Sequence, residues 1–262
     1  MTWILGSAVA FGYGALVADV RAVWPNGDHL DVLQKVYPVG QWMMAGFAGS
    51  VEFGFSCIDD MQTQFATDNK NAMWMPEFAA WKWHRRARRA FAESSDRVRQ
   101  LGSSLLLVGV SPFRNGPFYW TRCLRMRSPH FVPERCPPRA WLSIGTGADH
   151  ELAQEFANLD FDGDYTISKM EVQNPGGSAQ HIAQVVSMRL HDRPLSSVSE
   201  QLLVASAWPR KLIIRMTDGK YLGGGWSKWA DRDVDDTIAQ SWEQFRAMAA
   251  ENGLTAAAEA SA

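Results

Sequence analysis

Two short apolar runs open the chain, residues 3–10 and 15–20, and the glycine-bearing turn 11–14 joins them. Such runs read as paired strands, and they constrain the fold because the pattern is repeated at once. Residues 35–39 and 41–47 form a second pair, with Gly40 supplying the tight connection and Asn26-Gly27-Asp28 marking a loop before it. Helical spacing then takes over. Val51, Phe55, Ile58 and Met61 recur every three or four residues, and a long helix is expected over 76–100, with Pro76 at the permitted first turn.

Strands are expected again over 104–110, 118–126 and 140–144, then helices over 149–159 and 178–190. Beyond Trp208 the pattern predicts a hairpin, 211–216 with 220–222 around Asp218-Gly219, then a helix over 235–252 and a frayed Ala-rich tail at 255–262. Runs of strands alternating with paired helices predict an α+β fold, with helices layered on antiparallel sheets rather than strict βαβ units.

Composition removes several classes of function. The net charge of −2 supplies no overall basic field for nucleic acid. Lys82, Arg85, Arg86, Arg88 and Arg89 do cluster beside Trp81 and Trp83, but Glu93 and Asp96 continue the same helix, so a solvated face or subunit contact is the expectation. The high counts of 12 Trp and 11 Met read as core and interface. Cys57, Cys123 and Cys136 are odd in number and widely spaced, which fits a reducing cytoplasm better than a disulfide scaffold or a zinc site. Residues 2–18 lack a basic flank and are broken at Gly12-Tyr13-Gly14, so no secretory leader is expected, and no run is long enough for a membrane helix. The six histidines show no metal-ligand spacing.

Thr2 stands directly behind Met1. Removal of Met1 would give one residue both a hydroxyl nucleophile and a free α-amine, whose ordinary pKa of about 7.7–8.0 suits a base. Four further stretches give Thr2 weight: Val17-Ala18-Asp19-Val20-Arg21, Lys35, Met44-Ala45-Gly46-Phe47-Ala48-Gly49, and Ser143-Ile144-Gly145-Thr146-Gly147. In order and spacing they resemble proteasome-type β-subunits, in particular the bacterial HslV double-ring peptidases. Asp19 and Lys35 follow Thr2 at intervals one residue longer than the family's, consistent with one extra residue in the turn 11–14.

The resemblance covers 2–207 and leaves 208–262 as a C-terminal extension. It implies a four-layer α/β/β/α sandwich of the N-terminal-nucleophile hydrolase type, with Thr2 cutting peptide bonds after Met1 is removed. Lys35 would lower the pKa of the amine, Asp19 would orient Lys35, and the Gly46 N–H would serve as the oxyanion donor. Thr146 takes the place of a family serine near the amine, with an added methyl. Asp192 matches a family aspartate that supports the amine or a nearby cation, although its serine partner is displaced to Ser196 or Ser197. Met44 would floor the primary specificity pocket, its other reading being core packing.

The resemblance also implies a cytoplasmic homo-oligomer of stacked rings that takes peptides or unfolded protein, served by an ATP-driven unfoldase, with no cofactor required for catalysis. The alternatives are a small-amide hydrolase of the same nucleophile class and a catalytically silent, calcium-binding ring scaffold.

A second motif falls inside the insertion 160–177. Asp160, Asp162, Asp164, Ser168 and Glu171 occupy the oxygen-ligand positions of an EF-hand loop, and Ile167 is its core-facing aliphatic. Ca²⁺ (or Mg²⁺) is the ion such a loop takes. Tyr165 stands where the sharp turn needs glycine, and an acidic surface loop at a ring contact is the competing reading.

Overall fold

Apolar residues stand on both faces of most long strands, so each sheet has to be covered twice. The computed structural model describes residues 2–9, 12–65, 75–115, 118–137, 140–145, 177–209, 211–217, 231–232 and 234–254. One sheet has six strands: β1 (Ile4–Val9), β2 (Tyr13–Asp19), β10 (Trp141–Ile144), β11 (Leu202–Trp208), β12 (Lys211–Thr217) and β13 (Asp231–Arg232), in the order β10-β1-β2-β11-β12-β13. The other has five in chain order: β5 (Val36–Gly40), β6 (Met43–Gly49), β7 (Ser103–Asn115), β8 (Phe118–Arg127) and β9 (Glu134–Arg135). A small hairpin, β3 (Arg21–Val23) with β4 (His29–Asp31), follows β2. All neighbours within these sheets run antiparallel, as the strand pairs of the sequence predict.

The helices are α1 (Val51–Gln64), α2 (Pro76–Glu93), α3 (Asp96–Leu101), α4 (Gly177–Asp192) and α5 (Trp242–Glu251). The architecture is α+β. Ile4, Leu16 and Leu203 of one sheet pack with Val36, Leu106 and Val108 of the other, forming a core between the sheets. The alternate residues of the same strands turn outward. Leu105, Leu107 and Phe47 meet Phe55 of α1 and Trp83 of α2, whereas Leu5, Val17 and Val204 meet Ala183 and Val186 of α4. A strand buried on both faces reads as a continuous apolar run, which is why Leu105–Val108 shows no alternation.

Several boundaries differ from the sequence reading. The helix expected over 76–100 breaks at Ser94-Ser95. Ser94 Oγ donates to the Phe91 carbonyl, and Ser95 leaves helical geometry to cap α3, its Oγ accepting the Val98 N–H at 3.3 Å. The helix expected from Asp235 starts only at Trp242, behind the Ser241 cap. Residues 235–238 form a turn instead, the Ile238 N–H donating to the Asp235 carbonyl, and Ala239 is tied to the chain after β4: its N–H donates to the Val32 carbonyl and its carbonyl accepts the Gln34 N–H. The strands β3, β4, β9, β11 and β13 were not anticipated. The expected strand 220–222, the expected helix 149–159 and the insertion 160–177, apart from its last residue, lie outside the described residues. Among the described residues no helix is long and apolar enough to cross a membrane.

Helix α1 lies close on its sheet. A Cβ built on Gly54 would fall 2.1 Å from Phe47 Cδ2. Gly54→Ala is therefore expected to cost about 1–3 kcal/mol through overpacking, read as a lower urea midpoint at unchanged slope.

Candidate active site

Lys35 lies immediately before β5, and its side chain is fully buried. Its Nζ donates to Thr2 Oγ1 at 3.0 Å, to Asp19 Oδ1 at 2.9 Å and to the Arg21 carbonyl at 2.6 Å. An ammonium has three N–H donors, and here each has an acceptor. Three separate elements deliver these groups: Thr2 stands two residues before β1, Asp19 ends β2, and Arg21 begins β3. The antiparallel pairing of β1 with β2 sets Ile4 opposite Ala18, which brings the start of one strand beside the end of the other.

Both oxygens of Asp19 are engaged in turn. Its Oδ1 also accepts the Trp3 N–H at 2.9 Å, and its Oδ2 accepts the Arg21 N–H at 3.0 Å. Thr2, Asp19 and Lys35 are all completely buried. Burial holds the Lys35 ammonium below its ordinary range, with the Asp19 carboxylate opposing that shift. Arg21, beside the site, is held charged chiefly by its bonds to Asp31, which it meets through Nε and Nη2 at 2.7 and 2.8 Å.

Gly145 closes the far side of Thr2. It has φ +89°, and a Cβ there would sit 2.1 Å from the Thr2 carbonyl oxygen. This contact follows from the Ser143-to-Gly147 stretch, although Gly145 itself was not singled out in the sequence. Gly145→Ala combines left-handed strain with a backbone clash. It is expected to cost about 2–4 kcal/mol and to displace Thr2 from Lys35, measured as a lower thermal midpoint together with loss of Thr2 reactivity.

The remaining sequence candidates fall elsewhere. Gly46 lies in β6 with its Cα opposite Val36 and Leu106. Phe47 N–H donates across to the Lys35 carbonyl at 3.1 Å, so the alternation of an antiparallel ladder turns the N–H of Gly46 the other way, toward β7. That amide is directed into the sheet and not toward Lys35, which leaves the oxyanion role without a donor at Gly46. Met44 is fully buried among Ile4, Val36 and Leu106, so its burial favours core packing over a pocket floor. Asp192, the last residue of α4, is exposed, and neither Lys35 nor Asp19 bonds to it. Thr146 and the loop residues Asp160, Asp162, Asp164, Ser168 and Glu171 lie outside the described residues. Among the described residues no three His, Cys, Asp or Glu side chains gather as a metal site.

No protein-family model matches this chain, and no curated protein matches it in sequence. The local geometry therefore carries the chemical argument. A buried ammonium donating to a threonine hydroxyl stabilises the alkoxide over the alcohol, and a carboxylate behind the ammonium fixes its direction. Sequence reasoning reached the three side chains but missed the Arg21 carbonyl, because a backbone acceptor leaves no signature in residue type.

Proposed function

We propose that this protein is a threonine peptidase of the N-terminal-nucleophile class, acting through Thr2 once Met1 is removed. The observation that carries this reading is the 3.0 Å hydrogen bond from Lys35 Nζ to Thr2 Oγ1, with Asp19 completing the set at 2.9 Å. The fold supports it as well. Helices on the outer faces of two facing antiparallel sheets suit a four-layer α/β/β/α sandwich of this class.

In this mechanism Thr2 Oγ1 attacks the scissile carbonyl and its proton passes to the freed α-amine, directly or through water. Lys35 stabilises the negative charge that develops on Oγ1 as its proton leaves, and the charge passes to the substrate's carbonyl oxygen when the C–O bond forms. Collapse of the tetrahedral adduct breaks the C–N bond, and the leaving amine departs with the proton. The resulting ester on Thr2 is then hydrolysed by water. We further propose a cytoplasmic homo-oligomer of stacked rings, since peptide hydrolysis inside a cell needs enclosure. An ATP-driven unfoldase as partner and Ca²⁺ (or Mg²⁺) at 160–171 belong to the same proposal.

The complete burial of Thr2 favours a second reading for the chain that keeps Met1, a silent ring. Intact-mass analysis combined with a threonine-directed covalent inhibitor tests both. A mature N-terminal threonine carrying one inhibitor adduct supports the enzyme. Retained Met1 without labelling overturns it. Turnover of peptides rather than of a small amide distinguishes the peptidase from an amidohydrolase.

A further inference from the structure

Two of the three acceptors of Lys35 belong to a single bend. Asp19 ends β2, Arg21 begins β3, and only Val20 lies between them. Whatever fixes Val20 therefore fixes both the carboxylate and the carbonyl that hold the ammonium. The Val20 N–H donates to Oγ of Ser199 at 2.9 Å, and the Ser199 hydroxyl donates onward to the Gln201 carbonyl at 2.6 Å. Ser199 and Val20 are both completely buried. With its proton directed to Gln201, the hydroxyl presents a lone pair to Val20, so its orientation is set from both sides.

The segment carrying Ser199 links α4 to β11, and Leu202 of β11 pairs in register with Asp19. Arg21 fastens the same segment a second time, Nη1 donating to the Ser196 carbonyl at 2.9 Å. The contact thus spans 179 residues of sequence and lands on the one residue between the two Lys35 acceptors.

We infer that Ser199 is a positioning residue. By holding the Val20 N–H it fixes the Asp19 carboxylate and the Arg21 carbonyl against Lys35, and through Lys35 it sets the hydrogen bond on Thr2 Oγ1. Its catalytic consequence rests on the peptidase reading; its effect on Lys35 does not.

The experiment compares Ser199→Ala with Ser199→Thr, which keeps the hydroxyl. The first readout is the titration midpoint of Lys35, followed by ¹³Cε resonances of labelled lysine and assigned with Lys35→Arg. The second is peptide turnover, with kcat and KM separated. Ser199→Ala is expected to lower the Lys35 midpoint by about half a unit or more, since the charged form loses well-placed acceptors. It is expected to lower kcat about tenfold or more at unchanged KM, because a displaced catalytic group costs rate rather than binding. Ser199→Thr should restore both.

A Ser199→Ala protein with a lower thermal midpoint but wild-type Lys35 titration and kcat would overturn the inference and leave Ser199 a packing residue. If Ser199→Ala does not fold, Ser199→Cys, which keeps the volume and weakens the acceptor, is read the same way. If the wild type turns over no peptide, the peptidase reading fails, while the Lys35 midpoint still decides the role of Ser199.

Discussion

Thr2→Ala is expected to abolish peptide turnover, by about 10⁴-fold or more, and to remove all labelling by a threonine-directed inhibitor. The variant removes the only atom the proposed chemistry attacks with, so no neighbouring group substitutes for it. It also has a structural cost that can be stated in advance. Lys35 Nζ loses one of its three acceptors in a site with no exposure, and a buried donor left unpaired costs about 1–3 kcal/mol. Thr2→Ser separates the two effects. It keeps Oγ, hence the Lys35 bond and the nucleophile, and deletes one methyl, for about 1 kcal/mol of packing. Thr2→Ser is expected to label and turn over peptide within about tenfold of the wild type. Inhibitor labelling, kcat and a urea melt on the three proteins check the prediction. An active Thr2→Ala protein would refute the mechanism.

The short spacing of strands and the long apolar runs made the two antiparallel sheets legible, because strands such as β7 stay apolar across both of their buried faces. The same property hid which residues face which layer. Leu105 and Leu106 are equally apolar, yet one packs on the helices and the other between the sheets. The hairpin β3-β4 was missed because three-residue strands are too short to show a period, and β11 because Leu-Leu-Val followed by Ala-Ser-Ala carries neither an alternating nor a helical pattern. The end of α2 was within reach: Ser95 before Asp96 is a helix-start signal lying inside a run otherwise read as one helix. In the site, Thr2, Asp19 and Lys35 came from the resemblance to proteasome-type β-subunits, whose order of residue types they follow at intervals one residue longer. Gly46 illustrates the limit of that reasoning, since the direction of a backbone N–H depends on ladder parity, which residue type does not encode. Ser199 shows another limit: its partner is a backbone amide far away in sequence.

Lys35→Met is expected to be the most damaging single substitution to stability. The methionine fills much of the lysine volume, so the loss is electrostatic rather than steric. Asp19 then sits without exposure and without its cation, retaining only the N–H bonds from Trp3 and Arg21. Removing one member of a buried pair in this way costs about 3–5 kcal/mol. The Arg21 carbonyl and Thr2 Oγ1 lose their donor at the same time, so catalysis should fall with stability.

A double variant, Asp19→Asn with Lys35→Met, removes the stranded charge. It should recover part of the lost stability but none of the activity, a non-additivity that unfolding melts of the four proteins measure. The pH dependence supplies an independent check. Burial depresses Lys35 from its ordinary 10.5, so the unfolded chain binds this proton more tightly than the folded one. Stability contributed by this group therefore rises with pH from the depressed midpoint up to about 10.5, and is lowest where the folded chain must keep the buried lysine charged. Lys35→Met should lose that rising slope. A variant that keeps wild-type stability and the same slope would mean that Lys35 is not the buried, paired cation on which the proposed chemistry depends.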